Sequence, residues 1–131
     1  MIRSLAAVVA GLVAAFAVMT VVEAVGHTIY PPPPDLDPLT PEGMAAIVAH
    51  LPTGALLFVL AAYVCGGLAG GAVAGRVARG RPVEPALVGT VLTLGALVNV
   101  ITIPHPLWMS AASVAVQLPA AWLGGRLVSR P

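Results

Sequence analysis

Charge is what this sequence has least of. Only 8% of its 131 residues are Asp, Glu, Lys or Arg, against about 25% in a soluble globular domain. Lysine is absent, and six arginines meet five acids for a formal net charge of +1. A balance so close to zero provides no basic patch of the size nucleic acid requires, so nucleic acid is excluded as a partner. The one cysteine, Cys65, rules out an intramolecular disulfide. It lies inside an apolar run and reads as a small packed residue rather than a reactive thiol. Catalytic motifs are missing too. Ser4, Ser110, Ser113 and Ser129 have no nucleophile motif around them, and no histidine sits in a dense ligand motif such as H-E-x-x-H. The expectation is a protein that is not an enzyme.

What the chain has in quantity is apolar residues, 59% of the total. A small soluble domain cannot bury that much apolar surface within itself, because surface-to-volume scaling leaves a large part of it outside. A bilayer removes the difficulty. Four apolar runs are long enough to span, about 2–25, 52–77, 84–103 and 107–127. At 1.5 Å per residue each covers a hydrocarbon core of ~30 Å. Helices satisfy their own backbone groups in lipid, and the unbroken runs lack the alternation of barrel strands. The predicted fold is therefore all-α: a single polytopic membrane domain over 1–131, with four transmembrane helices and a short outer interfacial helix. The N-terminal run is long enough to be a retained span, and Ala15-Phe16-Ala17 is only a weak candidate for signal cleavage.

Arginine sets the orientation. Arg3 precedes the first span, Arg76, Arg79 and Arg81 separate the second from the third, and Arg126 and Arg130 end the chain. Alternating helices put all six on one side, which the positive-inside rule makes cytoplasmic. Both termini are expected there, in a cell membrane and most simply a bacterial inner membrane. The outer side collects Glu23, Asp35, Asp37 and Glu42 with no basic Lys or Arg. Glu84 is the lone cytoplasmic acid and can pair with neighbouring arginines. The outer loop opens on Pro31 to Pro34, a run that favours extended polyproline II geometry. Thr40-Pro41-Glu42 then carries the signals of a helix start, predicting a short helix over about 41–50. Pro52 argues for a break before the second span.

Small residues mark packing. Gly67, Gly71 and Gly75 are spaced by four, as are Gly66, Gly70 and Ala74, giving two adjoining smooth faces on the second span. Ala7, Gly11 and Ala15 repeat the pattern on the first. Such faces pack either within the bundle or between protomers, leaving a homo-oligomer or a larger membrane complex open alongside the lipid bilayer as partners. A faint repeat relates Glu23 and the Gly75-Arg76 helix end to Asn99 and the Gly125-Arg126 end. Two parallel helical hairpins explain it, as does one charge rule acting on two helix ends.

The sharpest chemical signal is histidine. His27, His50 and His105 all fall on the outer side of this topology. Glu23 and His27 are four apart and share a face if the helix runs on through Gly26. His105 lies in Pro-His-Pro just before Trp108, with Asn99 one or two turns below. Imidazole and carboxylate together suit a divalent metal such as zinc or a proton relay. Glu23, His27, His105 and His50 are thus the candidate ligands of a cation at the outer face, a divalent metal being the cofactor such a set would take. Asn99 and Trp108 support the site. Glu23 lies about 30 Å beyond Arg3 along an ideal helix, near the outer interface. Gln117 and Pro119 read as irregularities within the last span, with a kink at the proline. The expected function is cation binding, of a proton or a divalent metal and coupled to transport. The alternative is an accessory or scaffold subunit that docks partner helices on its glycine faces.

Four helices in a short chain with an acid in the first are similar to the architecture of the small multidrug resistance transporters. In that family the membrane acid lies deep in the first span among aromatic side chains. Here aromatics are 5% and Phe16 and Tyr63 stand apart from Glu23 in sequence. The resemblance covers architecture alone and implies no activity or site residue.

Overall fold

The computed structural model describes residues 1–129 as five helices: α1 (Ile2–Ile29), α2 (Pro41–His50), α3 (Thr53–Val77), α4 (Val83–Thr102) and α5 (Leu107–Val128). All except α2 are long and apolar enough to cross a membrane. At most 33% of the residues in the apolar window of each span are buried by the rest of the chain. Large side chains such as Val13, Phe16, Leu94 and Ile101 are left on the outside. In water such a surface would be an extended apolar patch. In lipid it is the ordinary environment of a helix whose backbone is internally bonded. The chain is built as an integral membrane protein.

The helix boundaries follow the sequence signals with one extension. α1 continues beyond Val25 to Ile29, through Gly26. A Cβ on Gly26 would lie 3.0 Å from the Cβ of Phe58, so glycine lets α3 approach here. The helix stops at Tyr30, because the prolines that follow have no N–H to donate. α2 begins as its sequence predicts. Thr40 Oγ1 accepts from the Gly43 amide at 3.0 Å, and Pro41 fills the first turn. Leu51 and Pro52 are extended and separate α2 from α3. α5 runs unbroken through Pro119. Between α3 and α4 the chain turns through Arg79 (φ 55°) and Gly80 (φ 81°). The Gly80 amide donates to the Gly75 carbonyl at 2.8 Å and Arg79 donates to Arg76 at 3.1 Å, a Schellman-type close.

α3 is the centre of the bundle, and both of its smooth faces are used inside the chain. Gly70 meets α1, where its missing Cβ would sit 2.7 Å from the Gly11 carbonyl oxygen; Gly66 beside it packs on Met19 and Ala15. Gly67, Gly71 and Gly75 meet α5: a Cβ on Gly71 would run into the Ala121 backbone, and one on Gly75 would lie 3.1 Å from Gly125 Cα. Contact order makes α1 antiparallel to α3 and α5 parallel to it. α4 closes the bundle against α5, with Gly89 against Leu118, and reaches α1 through Val88 beside Gly11. Buried Ala15, Met19, Ala62, Ala74, Val88, Leu92 and Ala121 form the apolar core of the bundle. Cys65, expected to be packed, faces outward from α3 and is exposed.

This alternation gathers Arg3, Arg76, Arg79, Arg81 and Arg126 at one end of the bundle, the arginine end. There Arg3 Nε donates to the Val77 carbonyl at 3.1 Å, joining the start of α1 to the last turn of α3. Glu84 is 1% exposed. Its Oε1 accepts from Ser4 Oγ at 2.9 Å and lies 3.5 Å from Arg81 Nη1. The opposite, acidic end holds the loop from Tyr30 to Thr40, α2, and the Pro104-His105-Pro106 turn.

Candidate functional site

Glu23 and His27 lie one turn apart on α1, because the helix persists past Gly26. His105 comes from the α4–α5 turn. All three line one cavity of about 470 Å³ at the acidic end, together with Tyr63 of α3 and Asn99 of α4. Its roof is apolar and comes from the loop and α2, through Leu36, Met44, Ile47 and Val48. α2 thus lies over the mouth of the bundle, held down by its buried Ile47 and Val48.

A second cavity of about 280 Å³ lies deeper and shares Glu23, Tyr63 and Asn99 with the first. It is also lined by Thr20, Gln117 and the apolar Met19, Leu92 and Ala96. Between α1 and α4 its wall is formed by Phe16, Thr20, Val91 and Gly95, all exposed, so it opens sideways. A small third cavity of about 50 Å³ runs from Glu23 and His27 to Tyr30 and Phe58. Glu23 is the residue common to all three. It is half-buried, on the wall where the mouth and the deeper chamber meet.

Asn99 Nδ2 donates to the Tyr63 hydroxyl at 3.3 Å, and Asn99 Oδ1 is buried with no partner among the described residues. Gln117 is 2% exposed, and its Oε1 likewise has no partner among the described residues. His105 Nδ1 lies 2.7 Å from the Ile103 carbonyl and must carry the proton to bond it. In the neutral ring this leaves Nε2 as the open acceptor. Glu23 brings a carboxylate and His105 an imidazole acceptor to the mouth, and the Tyr63 hydroxyl and the amide side chains of Asn99 and Gln117 extend the polar lining inward. Such a lining suits a cation or a proton-bearing group.

The sequence-predicted residues divide. Glu23, His27, His105 and Asn99 come to one cavity. His50 does not: it is exposed, and its Nδ1 bonds the Ala46 carbonyl of its own helix at 2.7 Å. Trp108 lies exposed on α5 and is not among the residues lining these cavities. The four-ligand metal set is not assembled, and among the described residues no group of three or more His, Cys, Asp or Glu could hold a metal ion. The reason is local. The short helix turns His50 back onto itself, and the Pro-His-Pro turn fastens His105 to its own backbone. Two lining residues were missed as members of the site. Tyr63 is distant from Glu23 in sequence and lines both the mouth cavity and the deeper chamber with it. Gln117, read as a helix irregularity, belongs to the deep chamber. The signal that would have found it is its rarity: Gln117 and Asn99 are the only glutamine and asparagine in the chain, and a polar side chain within a span is a functional candidate by default.

No protein-family model matches this chain. Neither a curated protein nor a solved structure is significantly similar to it.

Proposed function

We propose that this is a non-catalytic membrane protein that binds a cation through Glu23, and that the cation is a proton. The observation that carries the reading is the position of Glu23, the one carboxylate shared by the mouth and the deep chamber. His27 and His105 stand on the mouth side, and Tyr63, Asn99 and Gln117 extend the polar lining inward. A proton needs one base and a hydrogen-bonded path, whereas a divalent ion needs several converging ligands. The lack of a three-ligand cluster among the described residues favours the proton. The acidic end carries Glu23, Asp35, Asp37 and Glu42 without Lys or Arg, so its field attracts cations. Leu92 in the chamber wall belongs to the same apolar cluster as Val88, Ala74 and Ala121, a plug with no polar member. The site is thus a half-path from one side, and transport would require the plug to loosen. The scaffold reading has less to rest on, because α1 and α5 of the same chain cover the glycine faces of α3.

The test is proton uptake, followed as the carboxyl band in infrared difference spectra of purified protein across a pH titration. Glu23→Gln should remove a band that Asp35→Asn keeps. Isothermal titration with zinc should give no stoichiometric binding that depends on His27 and His105. If the Glu23→Gln spectrum matches wild type, the proposal fails. If zinc binds at one equivalent and His105→Ala abolishes it, a metal replaces the proton as the cation.

A further inference from the structure

The lipid-facing side of the α4–α5 pair carries a groove that the cation site does not use. It measures about 300 Å³ and lies at the arginine end, lined by Pro82, Val83, Ala86, Leu87, Thr90 and Trp122. Its lining is apolar except for Thr90, whose hydroxyl is already bonded to the Ala86 carbonyl at 2.9 Å. One edge is charged. The Arg126 guanidinium carbon lies 4.6 Å from the centroid of the Trp122 ring, and Trp122 is itself a wall of the groove. This cation–π contact holds a long, exposed side chain at a defined height. Arg81, with its side chain 63% exposed, directly precedes Pro82, another wall of the groove.

The surrounding charge is one-sided. Arg3, Arg76, Arg79, Arg81 and Arg126 share this end with a single acid, Glu84, which is 1% exposed and already engaged by Ser4 and Arg81. The surface therefore offers an apolar groove beside a surplus of guanidinium groups. That pairing is complementary to one molecule with an acyl chain and a net negative head. We propose that the groove binds an anionic phospholipid, with an acyl chain over Ala86, Leu87 and Thr90 against Trp122, and the phosphate on Arg126 and Arg81. Arginine's planar fork matches phosphate oxygens in pairs. Basic pockets between spans are a recognised way to hold such head groups. A zwitterionic lipid fills the channel equally well but brings its own ammonium to the arginines, so it gains less.

Native mass spectrometry of the purified full chain with dioleoyl phosphatidylglycerol and dioleoyl phosphatidylcholine tests this. Phosphatidylglycerol should bind about tenfold more tightly, a difference of about 1.4 kcal/mol. Arg126→Gln and Trp122→Ala should each remove most of that preference. Thr90→Trp, which fills the groove without changing any charge, should remove binding of both lipids. All three positions are exposed, outside the packed interior, and an unchanged circular dichroism spectrum of each variant separates lost binding from lost fold. Arg76→Gln removes one charge elsewhere at the same end and should leave the preference within twofold of wild type. The proposal is overturned if the two lipids bind alike, or if Arg76→Gln costs as much as Arg126→Gln. It is also overturned if glycerophosphoglycerol, the head group without acyl chains, displaces the lipid at equal concentration.

Discussion

At Gly71 the axes of α3 and α5 come so close that even a methyl group has no room, since its first carbon would overlap the Ala121 backbone. Backbone cannot swing aside as the end of a side chain can. Gly71→Leu should therefore prevent stable folding, at a cost above the about 1–3 kcal/mol usual for overpacking. Gly95 on α4 is the control: nothing lies within 4 Å of the Cβ it would carry. Gly95→Leu should fold at least as well as wild type, because leucine also favours helix by up to about 1 kcal/mol over glycine. Yield and thermal unfolding in mild detergent read both. Equal stability of the two variants would mean that α3 and α5 do not meet at Gly71. A different balance operates at Glu84, where a carboxylate is 1% exposed and one of its oxygens, Oε2, has no partner among the described residues. Ser4 supplies the hydrogen bond to the other, at 2.9 Å. Ser4→Ala should cost about 1.5–3 kcal/mol, the range for a hydrogen bond to a charged group. A melting temperature unchanged by Ser4→Ala would show that water replaces the hydroxyl there.

The elements differ in how firmly they are held, and α2 is the loosest. It is ten residues long, buries mainly Ile47 and Val48, and covers the mouth of the large cavity. An isolated helix of this length is marginal, so its cap matters. Thr40→Ala removes the acceptor of the Gly43 amide and should cost about 1 kcal/mol. The loss should be local. Hydrogen exchange should speed up at the amides of α2 and stay unchanged in α3 and α4; an even acceleration throughout would make α2 part of the cooperative core instead. α2 was legible in advance because Thr-Pro-Glu is a local signal, and local signals depend on a few consecutive residues. The spans were legible for the same reason, their length and apolarity being properties of each segment. The two smooth faces of α3 could be read from spacing by four, but not the identity of the helices covering them, which is a tertiary fact. The candidate site shows the same divide. Glu23 and His27 were aligned by helix period, and His105 by topology. Tyr63 and Gln117 come from α3 and α5, where no motif links them to Glu23. His50 was placed at the same end of the bundle as Glu23 but bonds its own helix, a choice of rotamer that periodicity cannot specify.

For the whole molecule, one question decides what the cavity meets, namely which face of the membrane the acidic end occupies. The bundle places five described arginines at one end, and the sequence adds Arg130 at the C-terminus. Orientation depends on Lys and Arg close to the span ends in short loops, and acids contribute little to it. The Ala78–Pro82 turn that holds Arg79 and Arg81 is as short as that rule requires. The acidic-end loop and turn have no Lys or Arg to compete with it. We therefore predict that both termini are cytoplasmic and that the mouth lined by Glu23, His27 and His105 opens outward. The same orientation sets the α4–α5 groove in the cytoplasmic leaflet, where anionic lipids give a negative surface potential. Green fluorescent protein fused after Pro131 should fluoresce, and alkaline phosphatase at the same place should be inactive. Alkaline phosphatase inserted at Pro33 should be active. Reversing the bias should reverse the molecule: replacing Arg76, Arg79 and Arg81 with alanine and adding three arginines between Pro33 and Pro38 should invert or mix these signals. If the unaltered chain already reads active phosphatase at the C-terminus, the orientation is wrong. The Glu23 site would then draw its protons from the cytoplasm.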